Sequence, residues 1–196
     1  VSTLGANPDP VAPKLFVTQE EIDAALERFQ LEKNPRVPLF GMFPGAEYGP
    51  AKRWPRERFI EAATRIQKQT GCRWLIFGGA SDVEPAAHIL GEIQYEAGRP
   101  PVSGKIPTEP VALNLAGQTS LRDLCALLKV CRVMLTNDSG PMHVAAALGT
   151  PVVVPFGSTS AALTGPGLPG DSAHELLISN APCSPCFLRE CPIDFR

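Results

Sequence analysis

The sequence predicts an α/β domain built on a doubly wound parallel sheet. Three observations lead there. Short runs rich in Val, Leu, Ile and Phe recur at residues 37–43, 74–77, 111–115, 132–135, 151–157 and 175–178. Runs of that length and composition read as strands buried on both faces. Between them lie longer stretches with apolar residues at helical spacing, so strand and helix alternate as in a parallel sheet with crossover helices. The runs end in turns such as Pro44-Gly45-Ala46 and Gly78-Gly79-Ala80-Ser81-Asp82, the punctuation expected where a strand hands over to a helix.

Residues 1–14 are rich in Pro, Gly and Asn and read as linker or irregular edge. Thr18 then opens a helix, with Glu21 placed to complete a capping box. Ile22, Ala25, Leu26 and Phe29 share one face of it. The strand at 37–43 leads into a loop holding Lys52-Arg53-Trp54, and a helix over 56–70 turns Phe59, Ala62, Ala63 and Ile66 inward before Gly71 stops it. After the strand at 74–77 comes a helix over 82–96. The strand at 111–115 ends at Gly117-Gln118-Thr119, and Ser120 caps a helix running through Cys131 with Leu121, Leu124, Leu127 and Leu128 on its apolar side. The strand at 132–135 breaks at Asn137-Asp138-Ser139-Gly140. Pro141, which leaves no N–H unpaired in a first turn, starts a short helix that Gly149 ends. A strand at 151–157, a Gly/Pro-rich loop over 159–172 and a last strand at 175–178 complete the order.

At 196 residues the chain is long enough for one domain with a sizeable core. A net charge of −2 offers no basic field for a nucleic-acid partner. No apolar run reaches the ~18 residues of a membrane span. Residues 1–13 lack the charged-then-apolar order of a secretory signal, and Val1 in place of a start Met reads as a fragment or processed product. Six cysteines in a chain this size fit reduced thiols in the cytoplasm better than a disulfide framework. Cys72, Cys125 and Cys131 read as core residues. Cys183, Cys186 and Cys191 are spaced C-x2-C-x4-C like part of a metal loop, but only three are present, so metal ligands, a disulfide and free thiols all stay open.

The turn at 137–140 is the first candidate site. Ligands of open parallel sheets bind outside the carboxyl ends of the strands. Here a carboxyl end meets a helix N-terminus, whose unpaired amides and dipole favour an anion. Ser139, Gly140, Met142 and His143 are placed to offer backbone N–H groups, and Gly140 lets a phosphate approach closely. Asp138 suits sugar hydroxyls or a bracing role. The plainer use is that Asp138 or Ser139 caps the helix, and spacing alone leaves both readings open. On the 44–55 loop, Lys52 is placed to neutralise charge developing on a diphosphate leaving group, with Arg53 beside it; a solvated loop charge is the alternative. Trp54 reads as a packing anchor. Asp82 or Glu84 is placed to accept from ribose hydroxyls, or Ser81 or Asp82 caps the next helix. His143 alone reads as a packed core histidine. No G-x-G-x-x-G opens the first βα turn, so the dinucleotide fingerprint is missing.

The stretch TNDSGPMHVAAALGTPVVVPFG, with PGAEYGPAKRWP upstream of it, resembles the paired nucleotide-sugar motifs of the ADP-heptose:lipopolysaccharide heptosyltransferases, of the type that adds the second heptose. The resemblance covers about residues 39–196. It implies a Rossmann-like domain equivalent to the carboxy-terminal, donor-binding half of a GT-B glycosyltransferase. Residues 37–196 would form that domain, residues 1–36 a linker and interdomain helix, and the amino-terminal acceptor domain would be absent. ADP-heptose is the implied donor and the lipopolysaccharide inner core the implied acceptor, reached through the missing domain. Transfer is implied to invert the sugar centre by direct displacement, without a metal or other cofactor. Lys52 of the K-x-W-P pattern is the implied catalytic cation. Arg53, Asp82, Glu84, Thr119, Asp138, Ser139, Gly140, Met142 and His143 complete the implied binding set, with Thr119 bordering the adenine and His143 near the diphosphate. The family's base is expected in the other domain, so this chain alone is expected to bind donor weakly and transfer nothing. The expected location is the cytoplasm, with at most peripheral contact at the inner face of the bacterial inner membrane. The other readings are the donor domain of a GT-B enzyme using a different nucleotide sugar, and a non-catalytic nucleotide-binding module.

Overall fold

The computed structural model describes residues 2–5, 9, 11–98, 110–168 and 171–193; part of the expected amino-terminal linker lies outside them. Six parallel strands form one sheet: β1 (Leu39–Phe43), β2 (Arg73–Ile76), β3 (Ala112–Asn114), β4 (Val133–Thr136), β5 (Val152–Phe156) and β6 (Glu175–Ile178). Their order across the sheet is β3-β2-β1-β4-β5-β6. The order reverses between β1 and β4, and such a switch point opens a crevice at the carboxyl ends of those two strands. Phe43 pairs in register with Thr136, so both strands end side by side there.

Alternation along the strands explains the two cores. Leu75 and Phe77 point to one face, where Met134 and Val154 meet the helices α1 (Gln19–Arg28), α4 (Leu121–Val130) and α5 (Gly140–Ala147). Trp74 and Ile76 point to the other, where Met42 and Leu135 meet α2 (Arg56–Thr70) and α3 (Val83–Gly98). Strands β1, β2, β4 and β5 are thus largely buried on both sides, which is why their sequences are nearly continuously apolar, whereas the edge strand β6 is mostly exposed. Trp74 satisfies its indole N–H on Ala63 O of α2 at 3.1 Å.

Local capping behaves as the sequence implies. Thr18 Oγ1 accepts from Glu21 N at 3.2 Å while Glu21 reaches back to Thr18 N, and Ser120 and Asp123 repeat the arrangement at α4. The helix α1 packs against α4, where Arg28 pairs with Asp123 at 2.7 Å and Arg122 pairs with Glu21. The first strand starts two residues later than expected, because Pro38 has no N–H for the ladder. Among the described residues one α-helix lies outside the expected order: α6 (Ala161–Thr164), a single turn inside the Gly/Pro-rich stretch. Among the described residues no helix is long and apolar enough to cross a membrane.

Burial leaves a titration signature. Cys131 is enclosed by the α4 side of the core, and desolvation pushes its thiol from an ordinary 9.0 up to about 12. Burial also pushes Cys72 and Cys125 up. A folded-state value above the unfolded one gives stability that is complete below pH 9 and is lost as pH rises toward 12. Between those limits Cys131 alone contributes a fall of about 1.4 kcal/mol per pH unit. Denaturant unfolding of Cys131→Ala across that range should show a shallower alkaline decline than the wild type; parallel curves would contradict the buried-thiol account.

Candidate functional site

Loops leaving the carboxyl ends of β1, β4 and β5 build the crevice. Asn137, fully buried, joins the first two. Its Oδ1 accepts from Trp54 N at 2.9 Å, and its Nδ2 donates to Pro44 O at 2.7 Å and Gly45 O at 3.3 Å. Buried peptide groups need partners, so this one side chain ties the β1 loop to the β4 turn. Trp54 follows as the expected anchor, its ring edge-on to Phe59 with centroids 5.1 Å apart.

Asp138 brings the remaining parts together. Its Oδ2 accepts from Lys52 Nζ at 2.7 Å, from the Thr159 hydroxyl, and from the Thr164 hydroxyl at 3.1 Å. The side chains of Lys52 and Asp138 are 13% and 4% exposed. Burying such a carboxylate alone is costly, and here a cation and two hydroxyls surround it. Lys52 at rest therefore balances Asp138, while the other N–H donors of its ammonium remain for an incoming anion.

The N-terminus of α5 is not capped by a side chain. Ser139 Oγ donates to Asn137 O at 3.3 Å, and the Asp138 carboxylate is turned to Lys52, so the plain capping reading does not describe this turn. The position of a Cβ on Gly140 is open space. Of the expected amides, that of Met142 is already engaged by Ser139 O at 3.0 Å, and its side chain is buried. His143 is exposed on α5 rather than packed in the core.

Asp82 does take the plain role. Its Oδ2 accepts from Gly79 N at 2.9 Å and closes the turn before α3. It lies so close to Gly45 that a Cβ there would come within 2.8 Å of it. A cavity of about 730 Å3 opens here, lined by Gly45, Arg53, Trp54, Asp82, Ser158 and Cys186 among others. Arg53 reaches it while its Nε donates to Ala46 O at 3.1 Å. Glu84 is exposed and Thr119 sits two strands from β1; neither lines the cavity. Lys52, Asp138 and α5 border the crevice without lining that cavity, which extends from the β1 loop toward β6.

Asn137, Thr159 and Thr164 had no role in the sequence reading. Asn137 stood inside the singled-out turn, but its partners lie 83–93 residues away. No local pattern marks the two threonines. The three tail cysteines, Cys183, Cys186 and Cys191, line the cavity, and among the described residues no cluster of His, Cys, Asp or Glu is placed to hold a metal ion.

A sequence model of glycosyltransferase family 9 (heptosyltransferase) matches residues 2–195. The chain belongs to glycosyltransferase family 9. It is 37% identical over 160 residues to lipopolysaccharide heptosyltransferase 2 of Salmonella typhimurium strain LT2 and 36% identical to that of Escherichia coli strain K12, covering 81% of this chain and 42% of each relative. The solved structure of E. coli ADP-heptose lps heptosyltransferase II matches with a TM-score of 0.71 and 32% identity, covering 89% of this chain and 47% of that one. A family 9 glycosyl transferase from Veillonella parvula DSM 2008 matches with a TM-score of 0.68 and 25% identity, covering 91% and 46%. This family 9 chain thus spans less than half the length of those relatives, and its Rossmann-like sheet is that of the GT-B heptosyltransferases.

Proposed function

We propose that this chain is the donor-binding half of a heptosyltransferase, holding ADP-heptose for inverting transfer to the lipopolysaccharide inner core. The observation that carries the reading is the meeting of Lys52 and Asp138 at the switch point, 2.7 Å apart, beside an uncapped helix N-terminus. A diphosphate placed there meets a lysine ammonium and the amides of Ser139, Gly140 and His143, and the departing ADP is stabilised by charge fixed in advance. Arg53 adds a second cation at the cavity edge. Asp138, held by its three partners, positions Lys52 and faces the sugar. Asp82, Glu84 and Thr119 take the ribose and adenine side.

On this reading residues 37–196 are the donor domain and residues 1–36 lead in from an amino-terminal acceptor domain that supplies the base. The chain alone then binds donor and transfers nothing. The whole enzyme works in the cytoplasm, with at most peripheral contact at the inner face of the inner membrane. Calorimetric titration with ADP, GDP and UDP tests the base preference. ADP should bind about tenfold more tightly than either. Equal binding of all three would remove the adenine site, and no binding by the folded chain would remove the donor-binding reading.

A further inference from the structure

The tail after β6 has no assigned role. Its cysteine pattern drew attention to metal, yet its backbone does something else. From β6 it crosses the carboxyl end of β5, where Ser184 Oγ donates to Gly157 O at 2.7 Å and Phe187 N donates to Ser158 O at 2.7 Å. It then reaches the β1 loop. Ala51 N donates to Arg189 O at 3.0 Å, Tyr48 OH donates to Phe187 O at 3.0 Å, and Arg189 Nε donates to Tyr48 O at 2.6 Å. The two segments lie so close that a Cβ on Gly49 would come within 2.5 Å of Arg189 O.

This contact falls beside Lys52. The Lys52 ammonium lies 5.1 Å from the centroid of the Tyr48 ring, and the Arg189 guanidinium lies 5.4 Å from the same centroid. A cation over an aromatic face is attracted by the ring quadrupole, so Tyr48 gives the lysine a second anchor besides Asp138. The tail holds Tyr48 in turn, at its hydroxyl and at its carbonyl. Cys183, Ser184, Cys186 and Glu190 of the same segment form one wall of the cavity.

We propose that residues 183–191 are a clasp that fixes the β1 loop, with Tyr48 and Arg189 as positioning residues that set Lys52 for the donor diphosphate. The clasp rests on the donor-binding reading above and adds a function for the tail. Its action runs through Lys52, so its effect on nucleotide binding vanishes when the lysine charge is gone.

A double-mutant cycle tests this. ADP affinity is read by ligand-detected NMR titration, which reaches weak binding, for wild type, Arg189→Ala, Tyr48→Leu, Tyr48→Phe, Lys52→Met and each tail variant combined with Lys52→Met. Arg189→Ala and Tyr48→Leu should each weaken ADP about fivefold, the scale of a lost cation–π anchor and a lost hydrogen bond. Tyr48→Phe keeps the ring but loses the hydroxyl bond to Phe187 O, so its loss should be the smaller, about twofold. In the Lys52→Met background neither Arg189→Ala nor Tyr48→Leu should move the affinity further. Full fivefold losses in both backgrounds would overturn the clasp while leaving donor binding intact, as would wild-type affinity in folded Tyr48→Leu. A wild type that binds no ADP would overturn the donor-binding reading and the clasp with it.

Discussion

Replacing Asn137 with Ala should lower the stability of the chain by about 3 kcal/mol and its melting midpoint by roughly 6–12 °C. The side chain is fully buried and makes three hydrogen bonds to the β1 loop. Truncation leaves Trp54 N–H and the Pro44 and Gly45 carbonyls without it, and an unmade buried hydrogen bond costs about 1–3 kcal/mol each. Water entering from the adjoining cavity recovers part of that loss, which sets the figure near the lower end of the sum. Asn137→Asp should fare no better, because it sets a charged oxygen against two carbonyls. Thermal unfolding by circular dichroism measures the shift. A change below about 2 °C would mean that the β1 loop is held by something other than Asn137.

Removing the Lys52 charge is the second large effect. Lys52→Met keeps the stem but leaves the Asp138 carboxylate with only the Thr159 and Thr164 hydroxyls. Breaking a buried ion pair by deleting one partner costs about 3–5 kcal/mol. Here the two hydroxyls remain and the lysine is 13% exposed, so about 2 kcal/mol is expected. The reverse change, Asp138→Ala, should cost at least as much: Lys52 turns to water on its flexible stem, but the Thr159 and Thr164 hydroxyls lose their shared acceptor. A loss from Asp138→Ala well below that from Lys52→Met would show that the Thr159 and Thr164 hydroxyls do not depend on the carboxylate. Binding should suffer in parallel: a hydrogen bond to a charged group contributes about 1.5–3 kcal/mol, so ADP affinity should fall at least tenfold.

Local chemistry was legible in the sequence and distant chemistry was not. The boxes at Thr18 and Ser120 and the last strand, Glu175–Ile178, stand as the residues implied, because each depends on neighbours within a turn or on a short apolar run. The polar turn at the carboxyl end of β4 was legible as a candidate site, whereas the strand order that makes it a switch point was not. The short α6 did not, since four residues are too few to show a helical period. That omission hid Thr164, which reaches Asp138 across 26 residues, and Thr159, which reaches it across 21. Asp138 was read as a sugar ligand or a brace, and only the fold shows the brace. The tail was read for its cysteines, whereas its contacts run through Tyr48 and Arg189, 141 residues apart.

The most direct test is calorimetric titration of ADP-heptose into the wild-type chain and into Lys52→Met, with both shown to be folded. One site per wild-type chain is expected, with an affinity at least tenfold lower in the variant. Equal affinity in the two proteins would mean that the donor diphosphate does not meet Lys52, and would contradict the placement of the site at the switch point between β1 and β4.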